Sequence, residues 1–210
     1  DSFFGDEMAQ KILSTKGPAK IITGTNVFAH IDDLHAFMMT ILSLLTDEGV
    51  FIFEAPYLGN LINLLEYDTI YHEHLSYLSL SPIVFLAEKF GMDVIDVQER
   101  DIHGGSFRVF LARKNRYSIN PRVAEFHKKE DKLNLADFNI LSHFSEQVRK
   151  NREELRNLLF ELKSSGKKIA AVSTPAKGMT LLNYCKIGPE ILDFATEKSS
   201  LKIGKFTPGM

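Results

Sequence analysis

Apolar positions recur along this chain at two spacings, and the changes of spacing mark its elements. From Glu7 to Ser14 the apolar residues Met8, Ile12 and Leu13 share one helical face, and Gly17-Pro18 ends that helix. Ala19-Lys20-Ile21-Ile22-Thr23-Gly24 is short and apolar enough for a buried strand, with Asn26 to Ile31 as the loop after it. Asp32 or Asp33 can cap a helix to about Leu45, carrying Leu34, Phe37, Met38, Ile41, Leu42 and Leu45. Asp47-Glu48-Gly49 reads as a turn. Val50 to Pro56 is nearly all apolar, as a strand covered on both faces should be. Strand, helix and strand in this order form a βαβ unit, which predicts a mostly parallel sheet flanked by helices over residues 17–113. Val50–Pro56 should lie at its centre.

Further on, Leu58 to Glu66 has a helical pattern, and Ser81-Pro82 opens another helix that Gly91 stops after Phe90. Met92 to Gln98 and Ser106 to Arg113 are strands with no helix between them, which suggests an antiparallel edge. From Pro121 to about Ser164 the pattern turns helical and more polar. Its second half, with Leu141, Phe144, Val148, Leu155, Leu158, Leu159 and Leu162, predicts one long amphipathic helix. After Gly166-Lys167-Lys168 a second α/β unit begins. It has a strand at Ile169 to Ser173, a helix at Met179 to Tyr184 and a further strand near Ile191 to Ala195.

Composition narrows the class without naming a function. Of 210 residues, 44% are hydrophobic and 25% charged, with a formal net charge of −2. That is globular, and it gives no reason to expect nucleic acid or an anionic membrane as partner. No apolar run approaches the roughly 20 residues needed to span a bilayer. The lone Cys185 leaves no internal disulfide and no Cys-cluster metal site, which fits a reduced, cytoplasmic setting. The start at Asp1 has neither an initiator Met nor a signal-peptide pattern and reads as an internal beginning.

The densest chemistry is Tyr71-His72-Glu73-His74: a phenol, two imidazoles and a carboxylate in succession. Imidazole charges and discharges near neutral pH, so such a cluster suits proton transfer. In an extended segment Tyr71 and Glu73 would share one side, and His72 and His74 the other. His-x-His can also chelate zinc, but no Cys stands nearby and no His-Glu-x-x-His helix is present. A polar surface loop is the plain alternative.

Several blocks together resemble the sugar C-methyltransferase family. They are Asn26-Val27-Phe28-Ala29-His30-Ile31-Asp32-Asp33-Leu34, Phe53-Glu54-Ala55-Pro56-Tyr57, the Tyr-His-Glu-His run and His103-Gly104-Gly105-Ser106-Phe107-Arg108. Pro175 to Cys185 and Lys202 to Gly209 are similar to the family's C-terminal domain. The blocks keep their order over nearly the whole chain. The resemblance implies an α/β fold: a partial Rossmann-like class I methyltransferase sheet, then a second Rossmann-like α/β domain. Expected boundaries are 1–115 for the second half of the methyltransferase domain, 116–165 for a helical connection and 166–210 for a truncated C-terminal domain. Zinc would belong only to an N-terminal domain absent from this chain. The Gly-rich turn that cradles the cofactor is also missing, since none of the 13 glycines stand in Gly-x-Gly spacing.

What the resemblance implies chemically is S-adenosylmethionine-dependent methylation of a carbon, often C3, of a nucleotide-linked 4-keto-deoxysugar. His74 is then the base, with Glu73 and Tyr71 contacting the sugar or orienting the ring. His30, after the first strand, is a second candidate to touch substrate oxygens, or else a helix-entry residue. Asn26 and Val27 fall at the cofactor. His103, Arg108, Lys177 and Asn183 fall at the substrate. On their own chemistry, Gly104-Gly105 suit a tight hairpin or a substrate wall, and Arg108 suits a buried ion pair equally well. Lys177, at a helix N-terminus, is placed for a diphosphate. Lys205 could add charge there but reads more simply as solvated. His35, His72, His127 and His143 read as surface or packing residues. An O- or N-methyltransferase and a non-catalytic nucleotide-sugar-binding protein stand as alternatives. Carbon chemistry is favoured over the former because a lone-pair nucleophile needs less help from a base.

Overall fold

A computed structural model describes residues 3–102 and 104–209, in two compact units. The first comprises residues 1–64 and 73–136, and the second 65–72 and 137–210. These limits differ from the expected 1–115, 116–165 and 166–210. The helical connection is not one body: its first helix packs with the first unit, while its long helix is the framework of the second.

The first unit begins with α1 (Asp6–Lys16), β1 (Ala19–Thr25), α2 (Leu34–Leu44) and β2 (Leu45–Pro56). It continues with α3 (Leu58–Asn63), α4 (Leu80–Lys89), β3 (Met92–Arg100), β4 (Ser106–Arg113) and α5 (Pro121–Leu133). The sheet order is β1-β2-β4-β3. β1 and β2 are parallel, as the βαβ reading requires, and β2 lies inside the sheet. The expectation of a mostly parallel sheet needs correction, since β4 is antiparallel to both β2 and β3. β1, β2 and β3 do run the same way. However, the tight β3–β4 hairpin inserts β4 between β2 and β3, so both of its pairings are antiparallel.

β2 departs from the expectation in a second way. Phe51, Phe53 and Ala55 are buried, while Val50, Ile52 and Pro56 are only half-buried. One face is therefore fully packed, against Phe28, Met38 and Ile41 on one side and Phe107, Val109 and Leu111 across the sheet. Phe28 stacks on Phe53 with centroids 4.3 Å apart. The Asp47-Glu48-Gly49 turn proves to be a bulge within β2, where pairing jumps from Ala19–Leu45 to Ile21–Val50. A Cβ on Gly49 would lie 2.7 Å from the end of the Leu45 side chain and 3.1 Å from Ala19 O, so a larger residue there would require both neighbours to shift.

Helix starts follow the capping logic. Asp33 Oδ1 accepts from Ala36 N at 2.9 Å, and Asn120 Oδ1 from Arg122 N at 3.0 Å. α4 is capped from a distance: the buried Glu130 of α5 accepts from Leu80 N at 2.6 Å and Ser81 N at 3.1 Å. α3 stops short of Glu66. Its exit passes through Leu65 at φ 59° into a 3-10 turn at Tyr67–Thr69.

The second unit holds that turn together with α6 (Phe138–Ser164), β5 (Ala170–Val172), α7 (Ala176–Cys185) and β6 (Phe194–Thr196). β5 and β6 are parallel, so this is a small β-α-β module laid against a long helix. Its core gathers Tyr67, Val148, Cys185, Ile187 and Ile191, with Phe144, Leu155 and Leu159 packed against them. No helix among the described residues is long and apolar enough to cross a membrane.

Candidate active site

The catalytic candidates of the first unit sit on two loops. His30 ends the 3-10 turn Phe28–His30 that follows β1. His74 begins the loop that leads into α4. The two meet edge to face, with centroids 4.9 Å apart and planes at 64°. Backbone contacts hold them there. Leu75 N and Ser76 N both donate to Ala29 O, at 2.9 and 3.2 Å, and Leu58 N donates to Leu78 O at 2.8 Å. The loop is thereby pinned to the turn beside β1 and to the start of α3. Both imidazoles are half-buried, and their rings are in contact with each other.

The boundary between the compact units falls inside the motif, between His72 and Glu73. Tyr71 to Glu73 form a bend and turn, so the alternation expected of an extended segment does not hold. Tyr71 is half-buried with its ring 5.9 Å from that of His72, and Glu73 is exposed.

Asn26 and Val27 stand just past the C-terminal end of β1, where open α/β sheets bind ligands. Asn26 takes a left-handed conformation at φ 54° and donates its backbone N–H to Glu54 O at 2.9 Å. Its side-chain Oδ1 is buried and has no hydrogen-bond partner among the described residues. A buried acceptor without a donor is costly, and a ligand carrying an N–H or O–H would satisfy it. Val27 is 44% exposed beside it.

Of the expected substrate contacts in the first unit, Arg108 is already engaged. Its Nε and Nη2 both donate to Glu54 Oε2, at 3.0 and 2.7 Å, across paired positions of β2 and β4. His103 lies outside the described residues. Its neighbours Gly104 and Gly105 have φ of 85° and 115°, and a Cβ on Gly105 would fall 1.8 Å from Asn60 Nδ2. The paired glycines therefore make the tight hairpin that packs on α3.

The second unit carries a cavity of about 970 Å³ past the C-terminal ends of β5 and β6. Met179, Ala195, Ile203, Phe206 and Pro208 give it apolar walls, and Thr174, Glu197, Lys202 and Lys205 give it polar ones. Tyr71 and His72 complete it from the motif. Asn183 lines it too, but donates its Nδ2 to Met179 O at 2.8 Å and Pro208 O at 3.1 Å, tying down the chain that forms the far wall. Lys177 is not among the lining residues. Its charge acts on Glu66, whose carboxyl is raised by burial, lowered by Lys177 and raised again by Asp68.

Glu197 organises the cavity rim. It accepts from the Thr174 hydroxyl, from Thr174 N at 3.2 Å, from Lys198 N at 2.7 Å and from Ser199 N at 3.0 Å. The Thr174 bond and those backbone donors pull its pKa down to about 2. Lys202 Nζ, 3.6 Å from Glu197, donates to Thr174 O at 3.0 Å. Sequence reasoning missed Glu197, Glu130 and Tyr67. For Glu197 a signal existed, an acid followed by Lys-Ser-Ser after a short apolar run, which marks a polar turn at a strand end.

Residues 101–210 match the model of the C-methyltransferase C-terminal domain, and residues 2–97 that of a methyltransferase domain. The chain is 35% identical over 207 residues to the C-methyltransferase NovU of Streptomyces niveus, covering 98% of this chain and 49% of NovU. It thus spans about half the length of that relative. Among solved structures, M1.HpyAVI in complex with SAM is similar at a TM-score of 0.33 and 14% identity, over 53% of this chain and 54% of that one. The structure titled M1.HpyAVI alone gives a TM-score of 0.33 and 13% identity over the same shares. That likeness is too loose to bear on function. The two family matches divide the chain near residue 100, and on their strength it belongs to the C-methyltransferase family.

Proposed function

We propose that this chain works in an S-adenosylmethionine-dependent C-methyltransferase that methylates C3, beside the 4-keto group, of a nucleotide-linked deoxysugar. The observation that carries this reading is the His30–His74 pair, two half-buried imidazoles pinned at the C-terminal end of a parallel strand. A sugar carbon is a poor nucleophile until a neighbouring ketone acidifies its proton and a base removes it. His74 takes the C3 proton, and the electron pair passes to O4 as an enolate. His30, beside it, faces the developing O4 charge, with Tyr71 and Glu73 orienting the sugar. Bound S-adenosylmethionine supplies an electrophilic sulfonium methyl. Asn26, with its buried unpartnered acceptor, and Val27 would hold that cofactor. The fit is chemical, since the cofactor carries the amino and hydroxyl donors that Asn26 lacks.

Within the second unit, the cavity suits a nucleotide, whose base can stack against Phe206 and Met179. Lys202 and Lys205 lie nearest to a diphosphate there, Asn183 shapes the wall, and Lys177 adds longer-range positive charge. His103 and Arg108 act at the sugar side, Arg108 through Glu54. The lone buried Cys185 suits a cytoplasmic setting. The test is direct: the enzyme is incubated with nucleotide-linked 4-keto-deoxysugar and S-adenosylmethionine, and products are read by proton NMR. A new methyl singlet on C3 supports the reading, and methylation on oxygen overturns it.

One alternative has its own observation. The cavity lies wholly within the second unit, so nucleotide-sugar binding without turnover is a coherent activity of this chain. Calorimetry separates the two: binding of nucleotide sugar with no binding of S-adenosylmethionine favours the non-catalytic reading.

A further inference from the structure

We propose that His72 takes up a proton when a nucleotide sugar enters the second-unit cavity, its imidazolium then pairing with the diphosphate. The inference rests on the reading of that cavity as a nucleotide site. His72 is exposed and lines the cavity, where the other charged lining groups are Glu197, Lys202 and Lys205. An exposed histidine is by default a solvated one, and here the charge balance around it argues for a contact. Glu197 is held ionised, because the Thr174 hydroxyl and the backbone N–H groups of Ser199, Lys198 and Thr174 keep its carboxyl at about 2. Lys202 Nζ stands 3.6 Å from that carboxylate and donates to Thr174 O at 3.0 Å, so its charge is largely balanced within the wall. Lys205 is the lining cation that remains.

A diphosphate brings two anionic phosphoryl groups, and one lysine does not balance both. The neighbouring elements add no further cation. α7 lines the cavity with Ala176, Met179, Thr180 and Asn183, none of them charged. Lys177 lies outside the lining and acts on Glu66, which also feels Asp68. Tyr71, whose ring stands 5.9 Å from that of His72 at 74°, contributes an aromatic wall and no positive charge. Imidazole is the side chain in this lining that gains a positive charge close to neutral pH. An anion beside the ring favours its protonated form, and the apolar surfaces of Phe206 and Ile203 strengthen that attraction by excluding water. The proton comes from solvent, settles on a ring nitrogen and is donated to a phosphoryl oxygen. Linkage fixes the sign: the ligand binds more tightly at low pH, and that gain is lost as pH rises through the titration of the bound ring.

The test is calorimetry of the whole chain with the uridine, thymidine, cytidine, adenosine and guanosine diphosphate hexoses. Their diphosphate is esterified at both ends, so the ligand itself does not titrate near neutral pH. The tightest binder is then titrated at pH 7.5 in buffers of different ionisation enthalpy, where the dependence of heat on buffer counts the protons taken up. About half a proton per bound ligand is expected, with affinity falling about threefold to tenfold between pH 6 and pH 8. His72→Gln should abolish both the uptake and the slope and bind as the parent does at pH 8. His72→Lys, a permanent cation, should also lose uptake and slope but keep the parent's affinity at pH 6. Uptake that persists in His72→Gln, or parent binding with neither uptake nor slope, overturns the proposal and leaves the cavity a nucleotide site. Failure of all five nucleotide sugars to bind overturns the cavity reading and the proposal together.

Discussion

His74 stands edge-on to His30 because Ala29, the residue before His30, accepts the two backbone N–H groups that follow His74. The pair is thus fixed by main chain, and side-chain substitutions can test its chemistry without dismantling its geometry.

His30→Phe keeps an aromatic ring beside His74 and removes both ring nitrogens. If His30 faces the O4 charge, C3 proton exchange should fall about tenfold or more, with thermal stability nearly unchanged. Exchange at the parent rate would reduce His30 to a packing residue at the helix entry.

Glu130 is buried and caps α4 through Leu80 N and Ser81 N while accepting from Ser81 Oγ at 3.0 Å. Glu130→Gln should cost about 1–3 kcal/mol in urea denaturation, since it weakens charge-assisted bonds to buried donors. Glu125→Gln, on the exposed side of the same helix, serves as control. Equal stabilities for the two variants would show that the remote cap contributes nothing.

The depressed carboxyl of Glu197 gives a pH dependence with a definite sign. Its pKa falls from an ordinary 4.5 to about 2 on folding. The unfolded chain therefore binds the proton first, and the stability from this group is complete above about 4.5 and lost as pH falls toward about 2. Unfolding of the second unit, followed between pH 5 and 2, should show this loss. Glu197→Gln should flatten that part of the profile, and an unchanged profile would place the acid lability elsewhere.

At the cavity, Lys205→Ala should weaken binding of a nucleoside diphosphate more than Lys177→Ala, because Lys205 lines the space and Lys177 does not. Calorimetric titration with the nucleoside diphosphate on both variants decides it. A larger loss for Lys177→Ala would move the diphosphate to the start of α7.

The order of strands and helices was legible because their periodicities are clean, down to Asp33 as cap and Ser106–Arg113 as a strand. The antiparallel pairing of β3 with β4 was legible too, since no helix separates them. The strand order within the sheet was not, because nothing in the apolar pattern of Ser106–Arg113 says that β4 inserts between β2 and β3. The unit boundary was also hidden. Tyr67 joins the second unit through bonds to Asn151 and Cys185, far off in sequence, and no local spacing announces such contacts. The motif itself was visible by composition. Its division, with Tyr71 and His72 in one unit and Glu73 and His74 in the other, is marked by no local change of pattern. Residue type left Arg108 open between an anionic ligand and an ion pair inside its strand, and the structure gives the ion pair, with its paired neighbour Glu54.

The central claim is that His74 removes the C3 proton, and solvent exchange tests it most directly. The active enzyme, given the 4-keto sugar nucleotide and the demethylated cofactor product, should exchange the C3 proton with deuterated water, because enolate formation precedes methyl transfer. His74→Asn keeps a similar shape without the basic nitrogen and should slow both exchange and turnover by about 10²–10⁴-fold with little change in Kd for the sugar. Exchange by His74→Asn at the parent rate would contradict the account.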